Sequence, residues 1–165
     1  SFLTLRGLRT LDARLRVHQE NTLAIATLLD EHPAVSKVYF PGLPSHPGHA
    51  VAARQQKGFG AMLSLELHGG EAAVRAFVDG LKYFTLAESL GGVESLIAHP
   101  ATMTHAAMTP EARAKAGMSD GLLRLSVGIE STDDLVADLS QGLLRAERAV
   151  ASAAADKSQR VLVDA

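Results

Sequence analysis

Arg124 stands between Leu123 and Leu125 in the run Leu122-Leu-Arg-Leu-Ser126. A guanidinium among apolar neighbours is costly to desolvate unless it is paired. Its planar fork meets a carboxylate through two parallel hydrogen bonds. The run therefore has two readings: an internal salt bridge or solvated strand face, or a site for a carboxylate ligand. A second stretch, Ala87-Glu88-Ser89-Leu90-Gly91-Gly92, ends in two glycines. Such a turn can expose backbone N–H groups to an anion. It lacks the phosphate-loop lysine and the dinucleotide fingerprint, so by itself it reads as an ordinary turn. Glu88 is a base or polar-substrate contact in one reading and a solvated residue in the other. His46 with His49, and His99 with His105, have no third ligand at a recognisable spacing, so no metal is expected. Ser89, Ser95 and Ser126 lack the glycines of a nucleophile elbow. The chain has no cysteine, which removes disulfides, thiolate metal sites and a thiol nucleophile.

Regular elements must hold these residues. Leu5, Leu8, Leu11 and Leu15 recur at three and four, and Leu23, Ile25, Leu28 and Leu29 continue an apolar face. The pattern predicts one long amphipathic helix to about Glu31, stopped by Pro33. Residues 35–39 and 61–67 alternate and predict strands. Residues 41–48 are dense in Pro and Gly and predict a loop. Short helices are expected at 49–56, at 71–78 and from Pro110, where the missing N–H costs nothing. Residues 83–87 and 94–98 read as short strands. Residues 122–129 are the clearest strand, with Leu123, Leu125, Val127 and Ile129 on one face and Arg124 on the other. Leu135, Leu139, Leu143, Ala146 and Val150 mark a closing helix. From Ser152 to Ala165 the chain is small and polar, and fraying is expected. Mixed helices and strands with short connections predict an α/β or α+β domain with antiparallel pairing.

The chain has 165 residues, 47% hydrophobic and 21% charged, with a formal net charge of −2. That length suits one domain with a real core. Neither nucleic acid nor an anionic membrane is favoured by so small a charge. Arg6, Arg9, Arg14 and Arg16 are spread around one helix and read as a solvated face or a subunit contact. No apolar run is long enough to span a bilayer, and the cytoplasm is the expected compartment. The chain starts Ser1-Phe2-Leu3 directly in helical periodicity, as a piece of a longer protein would.

Phe84-Thr-Leu-Ala-Glu-Ser-Leu-Gly-Gly-Val-Glu-Ser-Leu-Ile-Ala-His-Pro-Ala-Thr-Met-Thr-His105 resembles the C-terminal signature of the pyridoxal-phosphate enzymes of cysteine and methionine metabolism. That family includes cystathionine γ-synthase, cystathionine γ-lyase, cystathionine β-lyase and methionine γ-lyase. Leu5-Arg-Gly-Leu-Arg-Thr-Leu11, Val38-Tyr-Phe-Pro-Gly-Leu43 and Gly121-Leu-Leu-Arg-Leu-Ser-Val-Gly-Ile-Glu130 resemble further family segments in the same order, and the likeness runs to about Val150. It implies a small C-terminal domain over 1–151, opened by an interdomain helix at 1–31, with a mostly antiparallel sheet and helices on one side. It implies that Arg124 binds the α-carboxylate of an amino-acid substrate. Ser89, largely through its backbone, would share that task in the Ser89-Leu90-Gly91 turn, and Thr104 would lie near the same pocket. Glu88 would line the entrance, as in the γ-synthase and γ-lyase branches.

The resemblance also implies pyridoxal 5′-phosphate, bound mainly by an upstream domain that this sequence does not contain. The family's Schiff-base lysine follows a Ser-x-Thr-Lys pattern, and Lys37, Lys57, Lys82, Lys115 and Lys157 all lack that context. No catalytic or cofactor-binding residue is therefore expected here, and the parent enzyme would be a homotetramer. The expected activity is γ-elimination or γ-replacement on cystathionine- or homoserine-type amino acids. Methionine γ-lyase, cystathionine β-lyase and O-acylhomoserine sulfhydrylase are alternatives within the family. A non-catalytic binding or oligomerisation domain is the alternative from another class.

Overall fold

The computed structural model describes residues 1–103 and 107–163. In order these form α1 (Phe2–Leu8), α2 (Leu11–Asp30), β1 (Val35–Tyr39), α3 (His49–Gln55), β2 (Met62–Leu67), α4 (Gly70–Val78), β3 (Thr85–Leu86), β4 (Leu96–Ala98), α5 (Pro110–Lys115), β5 (Leu122–Ser126) and α6 (Thr132–Val163). The strands make one sheet in the order β1-β2-β5-β4-β3. The result is a mixed α/β fold whose sheet is mostly antiparallel, as the pattern of elements predicts.

Alternation sorts the strands into two faces. Leu63, Leu65 and Leu67 of β2, Leu123 and Leu125 of β5, Val38 and Ile97 are buried in a single core. That core is completed by Ile25, Ala26 and Leu29 of α2, Ala73, Val74 and Phe77 of α4, and Leu135, Leu139, Leu143 and Ala146 of α6. The register β2–β5 pairs Leu63 with Leu125 and Leu65 with Leu123, so Ser64 and Arg124 stand opposite one another on the other face. On that face Ser64 also pairs with Tyr39 of β1, and Arg124 with Ala98 of β4.

Two expectations need correction. The first helix is two helices, α1 and α2, broken at Arg9 and Thr10. Thr10 leaves helical geometry at φ −109°, ψ 2°, and its hydroxyl donates to the Gly7 carbonyl at 3.3 Å. Gly7 adds backbone entropy where the helix needs propensity, and Phe2 and Leu3 stay 76% and 73% exposed, so no packing holds the turn straight. The pair β3–β4 is parallel, not antiparallel. Residues 87–95 between them make a crossover instead of a hairpin, and both strands are shorter than the apolar pattern implies. Helix α6 runs to Val163. Ala151, Ala153, Ala154 and Ala155 are good helix formers.

A buried carboxylate secures the approach to β3. Asp138 on α6 accepts from the backbone N–H groups of Lys82 (2.9 and 3.0 Å), Tyr83 (2.8 Å) and Phe84 (3.4 Å). These bonds offset the cost of taking its charge from water.

Candidate functional site

Arg124 lies at the centre of β5, half-buried, on the face turned away from the core. Its Nη2 donates to the Ser89 carbonyl at 3.3 Å. Among the described residues no Asp or Glu forms an ion pair with it. An internal salt bridge is thereby ruled out among those residues, and most of the five guanidinium donors remain open to a ligand.

Ser89 arrives on the connection 87–95 between β3 and β4. The amide N–H and the hydroxyl of Ser89 have no hydrogen-bond partner among the described residues. The N–H groups of Leu90 and Gly92 are likewise free there, whereas that of Gly91 donates to Ser126 Oγ at 2.9 Å. Open amides beside a guanidinium make a concavity suited to an anion. Glu88 and Leu90 are exposed on the same connection. Thr104 lies outside the described residues.

The connection is pinned at several points. Ala87 N–H donates to Ile97 O at 2.9 Å, and Ile129 N–H to Val93 O at 2.9 Å. Ser95 is fully buried. Its N–H donates to Glu130 Oε1 at 2.7 Å and its hydroxyl to Glu130 Oε2 at 2.8 Å, while Gly128 N–H donates to Ser95 Oγ at 2.8 Å. Gly91, at φ +78°, takes a left-handed turn that favours glycine. A Cβ at Gly128 would collide with the Val93 carbonyl oxygen and the Glu130 carboxylate.

Helix α2 holds the far side of this assembly. His18 Nδ1 donates to the Val127 carbonyl at 2.6 Å. Asn21 Nδ2 donates to the carbonyls of Gly128 (3.1 Å) and Glu130 (2.9 Å), and Asn21 Oδ1 accepts from the Thr132 hydroxyl at 2.5 Å. Sequence reasoning singled out none of His18, Asn21, Glu130 or Thr132, and treated Ser95 and Ser126 only as rejected nucleophiles. One signal was available: His18 and Asn21 interrupt the apolar face of a helix.

The histidines serve as local fasteners. His46 Nδ1 accepts from Gly48 N–H at 3.0 Å, and His49 donates to the Pro41 carbonyl at 2.8 Å while stacking on Phe59. His99 is buried between Thr102 Oγ1 (2.8 Å) and the Asp120 carbonyl (3.1 Å). His105 lies outside the described residues. Lys37, Lys57, Lys82 and Lys115 are all exposed.

The family of Cys/Met metabolism PLP-dependent enzymes matches residues 1–144. A crystal structure of cystathionine γ-synthase from Xanthomonas oryzae pv. oryzae, in complex with aminoacrylate and cysteine, superposes with a TM-score of 0.85 at 80% identity, covering 90% of this chain and 38% of that one. Cystathionine γ-synthase of Escherichia coli (strain K12) is 60% identical over 148 residues, 90% of this chain and 38% of the relative. Cystathionine β-lyase of Lactococcus lactis subsp. lactis (strain IL1403) is 54% identical over 143 residues, 87% of this chain and 37% of the relative. The chain thus spans less than two fifths of the length of these relatives, and over that span it belongs to the Cys/Met metabolism PLP-dependent enzyme family.

Proposed function

We propose that this chain is the C-terminal, carboxylate-gripping portion of a transsulfuration enzyme, a cystathionine γ-synthase or γ-lyase. The intact parent would carry out γ-replacement or γ-elimination on homoserine- or cystathionine-type amino acids. One observation supports the reading above others: Arg124 is half-buried in mid-strand, without a carboxylate partner among the described residues, beside the open amide of Ser89. A guanidinium so placed, with a free N–H next to it, suits an α-carboxylate better than a neutral group.

Family membership implies pyridoxal phosphate, which acts as an electron sink when bound. The described residues of this chain do not fit its attachment. A lysine that joins a cofactor carbonyl is activated by desolvation or a cationic neighbour, and Lys37, Lys57, Lys82 and Lys115 are exposed. In this reading an upstream domain of the parent supplies the attachment. What this chain's own residues do is bind and orient. Arg124 holds both oxygens of the carboxylate, and Ser89 N–H donates to one of them. A fixed carboxylate fixes the rotation of the amino acid about its Cα, so the bond to be broken is presented in one orientation. Orientation of this kind lowers a barrier by several kcal/mol, within a range of about 7–11 kcal/mol for ideal positioning. Glu88, exposed on the same connection, would face the distal end of the substrate and favour the γ-synthase and γ-lyase branches. Leu90 would complete the wall.

The exposed apolar side chains of α1, Phe2, Leu3, Leu5 and Leu8, support a covered position for this helix in the parent, which we take to be a cytoplasmic homotetramer. No helix among the described residues is long and apolar enough to cross a membrane.

The test is Arg124→Ala and Arg124→Lys in the full-length protein. Loss of a buried, charge-assisted pair costs about 2–4 kcal/mol, so kcat/KM for the amino-acid substrate should fall about 30- to 1000-fold in the alanine variant. The lysine variant should also fall, because an ammonium does not reproduce the fork. An unchanged kcat/KM in Arg124→Ala would overturn the proposal.

A further inference from the structure

We propose that Ser126, Ser95 and Glu130 are positioning residues of the carboxylate site, acting through the 87–95 connection that carries Ser89. This inference rests on the carboxylate-gripping reading of Arg124.

The side chains of Glu88, Ser89 and Leu90 make no hydrogen bonds among the described residues, so they do not themselves hold the connection in place. Its position beside Arg124 is set by two pins that follow Ser89 in the chain. The nearer pin is Ser126, on β5 two residues after Arg124 and on the same strand face, which accepts from Gly91 N–H at 2.9 Å. The strand that presents the guanidinium therefore also fixes the turn that presents the Ser89 amide. The farther pin is the Ser95–Glu130 pair. Both Glu130 oxygens are taken by Ser95, and Ser95 Oγ in turn accepts from Gly128 N–H at 2.8 Å.

Glu130 forms no ion pair with any described basic group. Its charge is spent on two donors of one buried serine. For a structural fastening alone a neutral acceptor would serve. A charged one gives shorter and stronger bonds, which suits a loop whose position must be reproduced within tenths of an ångström. Asn21 holds the Glu130 and Gly128 carbonyls from α2, so the pin is itself seated on a rigid helix.

The experiment compares two probes, L-serine and L-serinamide, which differ only in carboxylate against carboxamide. Their dissociation constants are measured by calorimetry on the full-length, cofactor-loaded protein and on its Ser126→Ala, Ser95→Ala, Glu130→Gln and Arg124→Ala variants. The inference predicts that the preference for L-serine over L-serinamide falls about fivefold in each of the first three, the size of one net hydrogen bond, with L-serinamide binding unchanged. Arg124→Ala should lower the preference by more than tenfold. If Arg124→Ala leaves it unchanged, the carboxylate reading itself fails. If Arg124→Ala lowers it and the other three do not, the positioning inference alone falls. Equal weakening of both probes would mean a merely structural role and would also overturn it. Should either alanine variant fail to fold, Glu130→Gln decides the matter, since it keeps the side chain's shape and one accepting oxygen.

Discussion

Tyr39, Ser64 and Arg124 stand in one cross-strand row, and the two ends of that row are in opposite chemical states. The Tyr39 hydroxyl donates to Glu66 Oε1 at 2.7 Å, and the Lys37 ammonium lies 4.7 Å from the centre of its ring. The bond to Glu66, then burial, then the Glu66 charge push the Tyr39 phenol up to about 12 from its usual 10.0. A pKa raised on folding adds stability that is fully present below pH 10 and is lost as pH rises through about 12. The urea midpoint of the protein should therefore fall more steeply between pH 10 and 12 than that of Tyr39→Phe. Equal slopes would contradict this. Arg124, by contrast, has no carboxylate partner among the described residues, which leaves its fork open to the ligand that the proposed function assigns to it. Its place on a strand was legible because Leu123 and Leu125 bracket it. That it has no internal partner was not, since a single sequence shows spacing and not contact. The same blindness hid Ser95 and Glu130, whose bonds join residues 35 apart in the chain, and Asn21, whose partners lie 107 and more residues away.

At the scale of elements, strands with clean alternation were readable and the joints between them were not. The period of two over 122–126 and 62–67 predicts β5 and β2, because each buries leucines on one side only. The parallel pair β3–β4 was missed, since its register depends on where a crossover lands. The break between α1 and α2 was missed because leucines continue at helical spacing through Arg9 and Thr10. Two joints give sharp predictions. Asp138→Ala leaves three backbone N–H groups near β3 without their acceptor and should cost about 1–3 kcal/mol of unfolding free energy in a denaturant titration. Gly128→Ala drives a methyl group into the Val93 carbonyl and the Glu130 carboxylate and should cost about 1–3 kcal/mol. No loss of stability in either variant would contradict the packing described here.

For the whole molecule, the core and the candidate site lie on opposite faces of one sheet. The leucines of β2 and β5 pack on α2, α4 and α6, and the alternate residues carry Ser64 and Arg124. This chain, mixed with pyridoxal phosphate and reduced with borohydride, should show label scattered over its exposed lysines. Stoichiometric label on one lysine would mean that the cofactor site is complete within it. The most direct test of the central claim is a crystal structure of the full-length protein with L-serine bound. The account predicts that both carboxylate oxygens lie within about 2.7–2.9 Å of the Arg124 guanidinium nitrogens, with one of them also facing the Ser89 amide. A carboxylate held elsewhere, with Arg124 left in solvent, would contradict it.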